Sequence, residues 1–243
     1  MSKLEFTGER FVPHKSPKKL ESEHRSRYAF ALEYIADRRV LDIGCGEGYG
    51  SYMMIGSAKS VVGVDIDEEA IEHAKEMYES TNLDYQVADV TKLPFADCEF
   101  DAAVCFEVIE HIENPEAVMS EAARVLKPDG AFIVSTPNGA VRTSSRPNPY
   151  HVKEFNIHEL EQLVVAAFPT DKWTLSIFGQ FQRYKNYTKA GVMFKNAYLT
   201  IKGALGIGPG DSDHSSTGGG LEFDFHTDKA DLAEYLVAVV RGR

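Results

Sequence analysis

The sequence predicts a doubly wound α/β fold on a mostly parallel sheet of seven strands, and three observations predict it. Short apolar runs alternate with amphipathic stretches between residues 40 and 135, at the spacing of strand–helix units. A glycine-rich turn, Gly44-Cys45-Gly46-Glu47-Gly48, follows the first apolar run. A chain of 243 residues with 43% apolar side chains can bury one substantial core.

The elements follow in order. Leu20 to Ala36 reads as a helix because Tyr28, Ala29, Leu32, Ile35 and Ala36 share a face. Val40 to Ile43 is the first strand, Tyr49 to Ile55 a helix and Ser60 to Asp65 the second strand. Asp67 to Ser80 is a helix with an acidic first turn, which suits the helix dipole. Leu83 to Val87 and Phe100 to Phe106 are strands. Pro115 to Leu126 is a helix with proline in its first turn, closed by the turn Lys127-Pro128-Asp129-Gly130, and Ala131 to Ser135 is the fifth strand. Past Thr136 the rhythm breaks. A proline-rich loop covers 137–155; Ile157 to Phe168 is a helix, Trp173 to Phe178 a strand, and 181–231 an insertion before a last strand at Tyr235 to Val240. Residues 1–36 form a polar arm and cap helix, and 37–243 the α/β domain. Both long irregular segments follow strands, so they belong at the carboxyl edge of the sheet, where such folds bind ligands.

Composition narrows the function classes. There are 26 basic and 37 acidic side chains, a net charge of −11, which argues against a general grip on nucleic acid. No apolar run approaches the roughly 18 residues of a membrane span. The segment Met1 to Glu5 lacks the apolar core of a signal peptide, and Cys45, Cys98 and Cys105 form no disulfide framework. A cytoplasmic location is expected.

The most specific signal is Asp42-Ile43-Gly44-Cys45-Gly46-Glu47-Gly48. Glycines at alternate positions after a strand let the backbone turn sharply and approach a ligand without a Cβ in the way. A dinucleotide fingerprint would need glycine at 44, 46 and 49, but position 49 is tyrosine. Taken alone, the loop also fits an ordinary strand-to-helix turn. With Asp65 ending the second strand and Asp89 following the third, the sequence resembles the class I S-adenosylmethionine-dependent methyltransferases over roughly Arg39 to Phe178 and the closing strand. The resemblance implies a Rossmann-like seven-stranded sheet and S-adenosylmethionine as cofactor, with S-adenosylhomocysteine as product. It places Gly44, Cys45, Gly46 and Gly48 around the cofactor's amino-acid part, with Asp42 beneath them. It places Asp65 on the ribose hydroxyls, Ile66, Asp89 and Val90 at the adenine, and Phe106 at the site.

A second constellation lies at the end of the fourth strand. Glu107, Glu110 and His111 have i, i+3, i+4 spacing and share a face if the strand end turns helical. His151 lies on the long loop. The pattern resembles the small-RNA 2′-O-methyltransferases and the ubiquinone-pathway O-methyltransferases. That resemblance implies one divalent ion on Glu107, Glu110, His111 and His151: Mg²⁺, with Mn²⁺, Fe²⁺ or Zn²⁺ competing because of the imidazoles. Without a metal, His111 or His151 is the candidate general base, oriented by Glu107 or Glu110. Glu-x-x-Glu-His also occurs in methyltransferases with no metal requirement.

Weaker features complete the reading. Thr7 to Pro13 with Glu23 to Tyr28 resembles the front of bacterial methyltransferases of surface-polysaccharide and glycosylation pathways. This implies that Arg27 and Tyr28 lie near the cofactor carboxylate; alternatively the helix only covers the sheet. Arg142, Arg146 and the basic, aromatic stretch 181–198 suit a phosphorylated or sugar substrate, an amphipathic lid or a homodimer surface. Asp211, Asp213 and His214 lie in a Ser/Gly-rich stretch, where ordering ligands for a second metal site is costly, so none is expected there. His73 and His158 read as surface or packing residues. The function expected is O-methylation of a hydroxyl on a sugar, nucleotide-sugar or glycosylated small molecule. The alternatives are N-methylation of an amine or amino-sugar, RNA 2′-O-methylation, and a non-catalytic cofactor-binding module.

Overall fold

A computed structural model describes residues 16–141, 148–183 and 222–243. Apolar β-branched runs form the strands of its centre, β1 (Arg39–Ile43), β2 (Ser60–Asp65), β3 (Leu83–Val87), β4 (Phe100–Phe106) and β5 (Leu126–Pro137). Three more complete the sheet: β6 (Trp173–Arg183), β7 (Glu222–His226) and β8 (Tyr235–Gly242). The helices are α1 (Lys18–Ile35), α2 (Tyr49–Met54), α3 (Glu68–Met77), α4 (Pro115–Val125) and α5 (Ile157–Ala167). Several start where the sequence supplies a cap. Asp67 accepts from the amides of Glu69 and Ala70, and Asn156 and Glu159 form a reciprocal capping box on α5.

The strand order is β3-β2-β1-β4-β5-β8-β6-β7. Strands β3 to β5 in that order pair in parallel; β8 is antiparallel to both β5 and β6, and β7 is antiparallel to β6. Both faces are buried, so successive side chains of one strand enter different cores. Leu41, Ile43, Ala103, Cys105, Phe132 and Val134 pack with α4 and α5. Val40, Ala102, Val104 and Ile133 pack with Tyr28, Ala31 and Ile35 of α1. The chain leaves β1 toward β2 and β3, then returns to β4 on the other side. That reversal opens a crevice at the carboxyl ends of β1 and β4.

Two expectations are corrected. Among the described residues the sheet has eight strands, because β7 lies inside the stretch read as an insertion and β6 runs on to Arg183 to pair with it, and it is mixed because β8 and β7 run against the rest. Its sequence, Glu222-Phe223-Asp224-Phe225-His226, carries only two apolar residues, which suffice for an edge strand; Phe225 stacks on Phe30 at 4.4 Å. The predicted turn Lys127–Gly130 is absorbed into β5, whose pairing with β4 shifts register between Phe100 and Ala102. Among the described residues, no helix is long and apolar enough to cross a membrane.

Candidate active site

The glycine loop begins where β1 ends. Gly44, Gly46 and Gly48 adopt φ of +75°, +55° and +91°. A Cβ on Gly44 would collide with the Val108 side chain, so this glycine lets the loop press against the segment after β4. Gly46 faces open space on the same loop. The loop is pinned from β2. The amides of Gly44 and Cys45 donate to the Val64 carbonyl at 2.8 and 2.9 Å, and the Gly46 amide donates to Asp65 Oδ2 at 2.9 Å. Asp65 Oδ1 accepts from the Asp67 amide at 3.0 Å. Each carboxylate oxygen keeps a lone pair for a further donor.

Asp42 lies fully buried beneath the loop, accepting from Ser51 Oγ at 2.7 Å and the Tyr28 hydroxyl at 3.2 Å. Burial raises its carboxyl pKa to about 7. Cys45 is buried, and desolvation pushes its thiol up. Asp42 and Cys45 therefore support the loop from behind. Ile66 is 71% exposed on the rim, and Val90 is buried. Asp89 is exposed and accepts from the hydroxyl and amide of Thr91, which lower its pKa.

Across the crevice, Tyr28 packs edge-on against Tyr49 and Phe106, at 5.4 and 5.0 Å between ring centres. Arg27 is fully buried. Its Nη1 donates to Gln180 Oε1 at 2.7 Å, its guanidinium lies 4.6 Å from the Tyr235 ring centre, and Nη2 stands 3.8 Å from Glu107 Oε2. Among the described residues, Arg27 Nε and Nη2 have no hydrogen-bond partner. Buried N–H groups of a guanidinium are costly to leave unmet, so this pair suits an incoming anion. Glu107 has φ of +58°, a strained conformation for a residue with a Cβ. Ser135 clamps it, donating from Oγ to Glu107 Oε1 at 2.7 Å and accepting the Glu107 amide on its carbonyl at 3.2 Å.

The chain then makes a single 3₁₀ turn, Ile109–His111. Glu110 is buried; Oε2 accepts from Thr136 Oγ1 at 3.2 Å, while Oε1 has no hydrogen-bond partner among the described residues. Burial, and then the neighbouring Glu107 charge, push its carboxyl well above the usual carboxylate range. Its carbonyl accepts the amides of Val152 and Lys153 at 2.8 and 3.2 Å, tying residues 148–155 to the turn. His111 Nδ1 lies 2.9 Å from the Tyr150 carbonyl, which can only accept, so Nδ1 carries the proton. In His151, Nδ1 donates to Glu154 Oε1 and Nε2 accepts from Asn148 Nδ2, both at 2.9 Å. The two rings meet edge-on at 4.9 Å. One ligand-type atom from each of Glu110, His111 and His151 falls within 4.8 Å of the others.

Glu107 does not join them. The four-residue set assumed a helix beginning at 107, but that residue takes the left-handed conformation and the helical turn starts at Ile109. Its carboxylate points to Ser135 and Arg27 instead.

Residues 41–134 match the family model described as a methyltransferase domain. A Mycolicibacterium smegmatis protein named "probable S-adenosylmethionine-dependent methyltransferase" is 36% identical over 181 residues, 73% of this chain and 70% of that one. The chain belongs to the S-adenosylmethionine-dependent methyltransferases. A ubiquinone biosynthesis O-methyltransferase of Thiobacillus denitrificans is 35% identical over 117 residues, 47% of this chain. The methyltransferase spans about half the length of that relative, 50%. The solved YcgJ protein of Bacillus subtilis shares the fold, with a TM-score of 0.60 at 21% identity over 90% of this chain and 99% of that one.

Sequence reasoning about this methyltransferase missed four residues that shape the site. Ser135 and Gln180 hold Glu107 and Arg27. Glu47, between two loop glycines, is buried against His73 Nε2 at 3.3 Å and the Tyr78 hydroxyl at 3.4 Å, and burial raises its pKa to about 7. His73, read as a surface or packing residue, is thus part of the loop's footing. An acid flanked by glycines was the available signal. Gln180 had none, since its strand was expected to end at Phe178. Thr7 to Pro13, Arg142, Arg146, Asp211, Asp213, His214 and most of 181–198 lie outside the described residues.

Proposed function

We propose that this methyltransferase methylates a hydroxyl oxygen of a sugar, nucleotide-sugar or glycosylated small molecule, with a divalent ion held beside the acceptor. The observation that carries the donor site is the loop Gly44–Gly48, turned by positive φ at the sheet's reversal point with its Gly46 amide fixed by Asp65. Asp65 has lone pairs left for two ribose hydroxyls, and exposed Ile66 with Asp89 and Val90 forms the adenine rim. Arg27 Nε and Nη2 supply the unmet donors that the cofactor carboxylate needs. When bound, S-adenosylmethionine supplies a methyl group on a positive sulfur, open to in-line attack.

The chain's part is to hold the acceptor in line and, where no ion is bound, to receive its proton at Nε2 of His111 or His151. Glu107, held at the crevice by Ser135, fixes the acceptor side of the donor pocket. Glu110, His111 and His151 fit a divalent ion: Glu110 Oε1 has no partner, and both imidazoles have Nδ1 bound by an acceptor, which orients Nε2 as ligand. Such an ion lowers the pKa of a bound hydroxyl. His151 would exchange its Asn148 contact for the ion. The ubiquinone relative's name supports an oxygen acceptor. Likeness of the N-terminal stretch to glycosylation-pathway methyltransferases favours the sugar.

Calorimetry tests the donor: S-adenosylhomocysteine gives a binding isotherm and a nicotinamide dinucleotide does not. The reverse result removes the reading. Metal content is measured on purified protein beside the Glu110→Ala, His111→Ala double variant. Equal content in the two removes the metal, and activity that survives chelation leaves His111 or His151 as the general base.

A further inference from the structure

Gln180 stands 153 residues from Arg27 in sequence and touches it in space. It is buried in β6, paired with Tyr235 of β8 on one side and Phe225 of β7 on the other, so its backbone is fixed from both edges. Its amide orientation is also determined. Nε2 donates to the Glu23 carbonyl at 3.0 Å and to Ser26 Oγ at 2.7 Å. Ser26 Oγ gives its own proton to the same Glu23 carbonyl at 2.8 Å, so it accepts from Gln180. With both amide hydrogens committed, Oε1 must face Arg27.

We propose that Gln180 is a positioning residue that aims Arg27 at the carboxylate of the methyl donor. The inference rests on the donor-carboxylate reading of Arg27 given above. A buried guanidinium is usually hydrogen-bonded to a carboxylate; here its hydrogen bond goes to a neutral amide, and the Glu107 carboxylate stands off at 3.8 Å from Nη2. The amide holds Nη1 at 2.7 Å without cancelling the charge, and Nε and Nη2 keep their capacity for an anion. The Tyr235 ring, 4.6 Å from the guanidinium carbon, limits its swing, and Glu107 at 3.8 Å draws it toward the crevice. The Gln180 side chain holds Arg27 while its own amide is fixed by Ser26 and the Glu23 carbonyl, so it acts through Arg27.

The test compares two probes by calorimetry on the full chain: S-adenosylhomocysteine, and 5′-methylthioadenosine, which keeps the adenosine and thioether but lacks the carboxylate. Gln180→Glu places a charge on Arg27 and lowers S-adenosylhomocysteine affinity by about tenfold or more, while methylthioadenosine stays within about twofold. Gln180→Met, neutral and similar in length, produces a smaller loss with the same selectivity. Arg27→Met sets the scale. If Arg27→Met leaves the affinity ratio of the two probes unchanged, the reading of Arg27 itself falls. If Arg27→Met lowers the ratio but both Gln180 variants keep the wild-type ratio, Gln180 has no positioning role. Equal loss of both probes in both Gln180 variants overturns the proposal too, because it marks a general structural role.

Discussion

The two walls of the crevice are built differently. On the β1–β2 wall, the polar groups described above are met from within: Asp65 holds two amides, Asp42 holds two hydroxyls, and Val64 holds the turn. On the β4–β5 wall, Glu107 is strained, Glu110 has an unmet oxygen, and the Arg27 facing it has two unmet nitrogens. A wall complete in itself can be rigid before anything binds. A wall with unmet groups gains most of its satisfaction from its ligands, so its stability and its occupancy are linked.

The sharpest break in that contrast is Asp65→Ala. It removes the acceptor for two loop amides and the proposed ribose partner together, and donor affinity should fall about a hundredfold. Calorimetry with S-adenosylhomocysteine checks it; wild-type affinity would mean that the first wall does not depend on this clamp. Ser135→Ala should come next. Freed from its clamp, Glu107 should cost turnover about tenfold at saturating donor, with donor affinity nearly unchanged. A loss confined to donor affinity would assign Glu107 to the wrong side of the crevice.

The smallest effect concerns pH and stability. Asp42 is held at about 7 in the folded chain against an ordinary 3.8, because burial disfavours its charge. Between those values the folded state keeps a proton that the unfolded state has released. The stabilisation is whole below about 4 and is lost as pH rises to about 7. Glu47, also at about 7, adds to the same slope. Thermal melts from pH 4 to 8 should show a shallower decline for Asp42→Asn than for the wild type. Parallel curves would show that Asp42 is charged throughout.

The first wall was legible in the sequence because its features are local. Continuous apolar runs mark β1, β2 and β4, glycines at alternate positions mark a turn that needs positive φ, and Asp65 closes its strand a fixed distance on. The eight-strand count was less legible: Leu221, Phe223 and Phe225 alternate with polar residues as a strand does, but the signal is short and follows a Ser/Gly-rich stretch. The second wall was half legible. Glu110, His111 and His151 were found as a group because their residue types carry the signal. The departure of Glu107 was hidden, as nothing in the residue name announces a left-handed backbone. Gln180 was hidden for another reason: its role exists only where three strands and α1 converge.

The tie between the Glu110 carbonyl and the amides of Val152 and Lys153 uses main-chain atoms only. The segment tied to the turn after β4 is therefore fastened independently of which side chains it carries. Tyr150 and Val152, both exposed there, can be exchanged without loosening the fastening. Proline at 152 or 153 would be the exception, because it removes a donor amide. A library that varies positions 150 and 152 and excludes proline should thus reach new acceptors while the backbone tie at Glu110 stays intact.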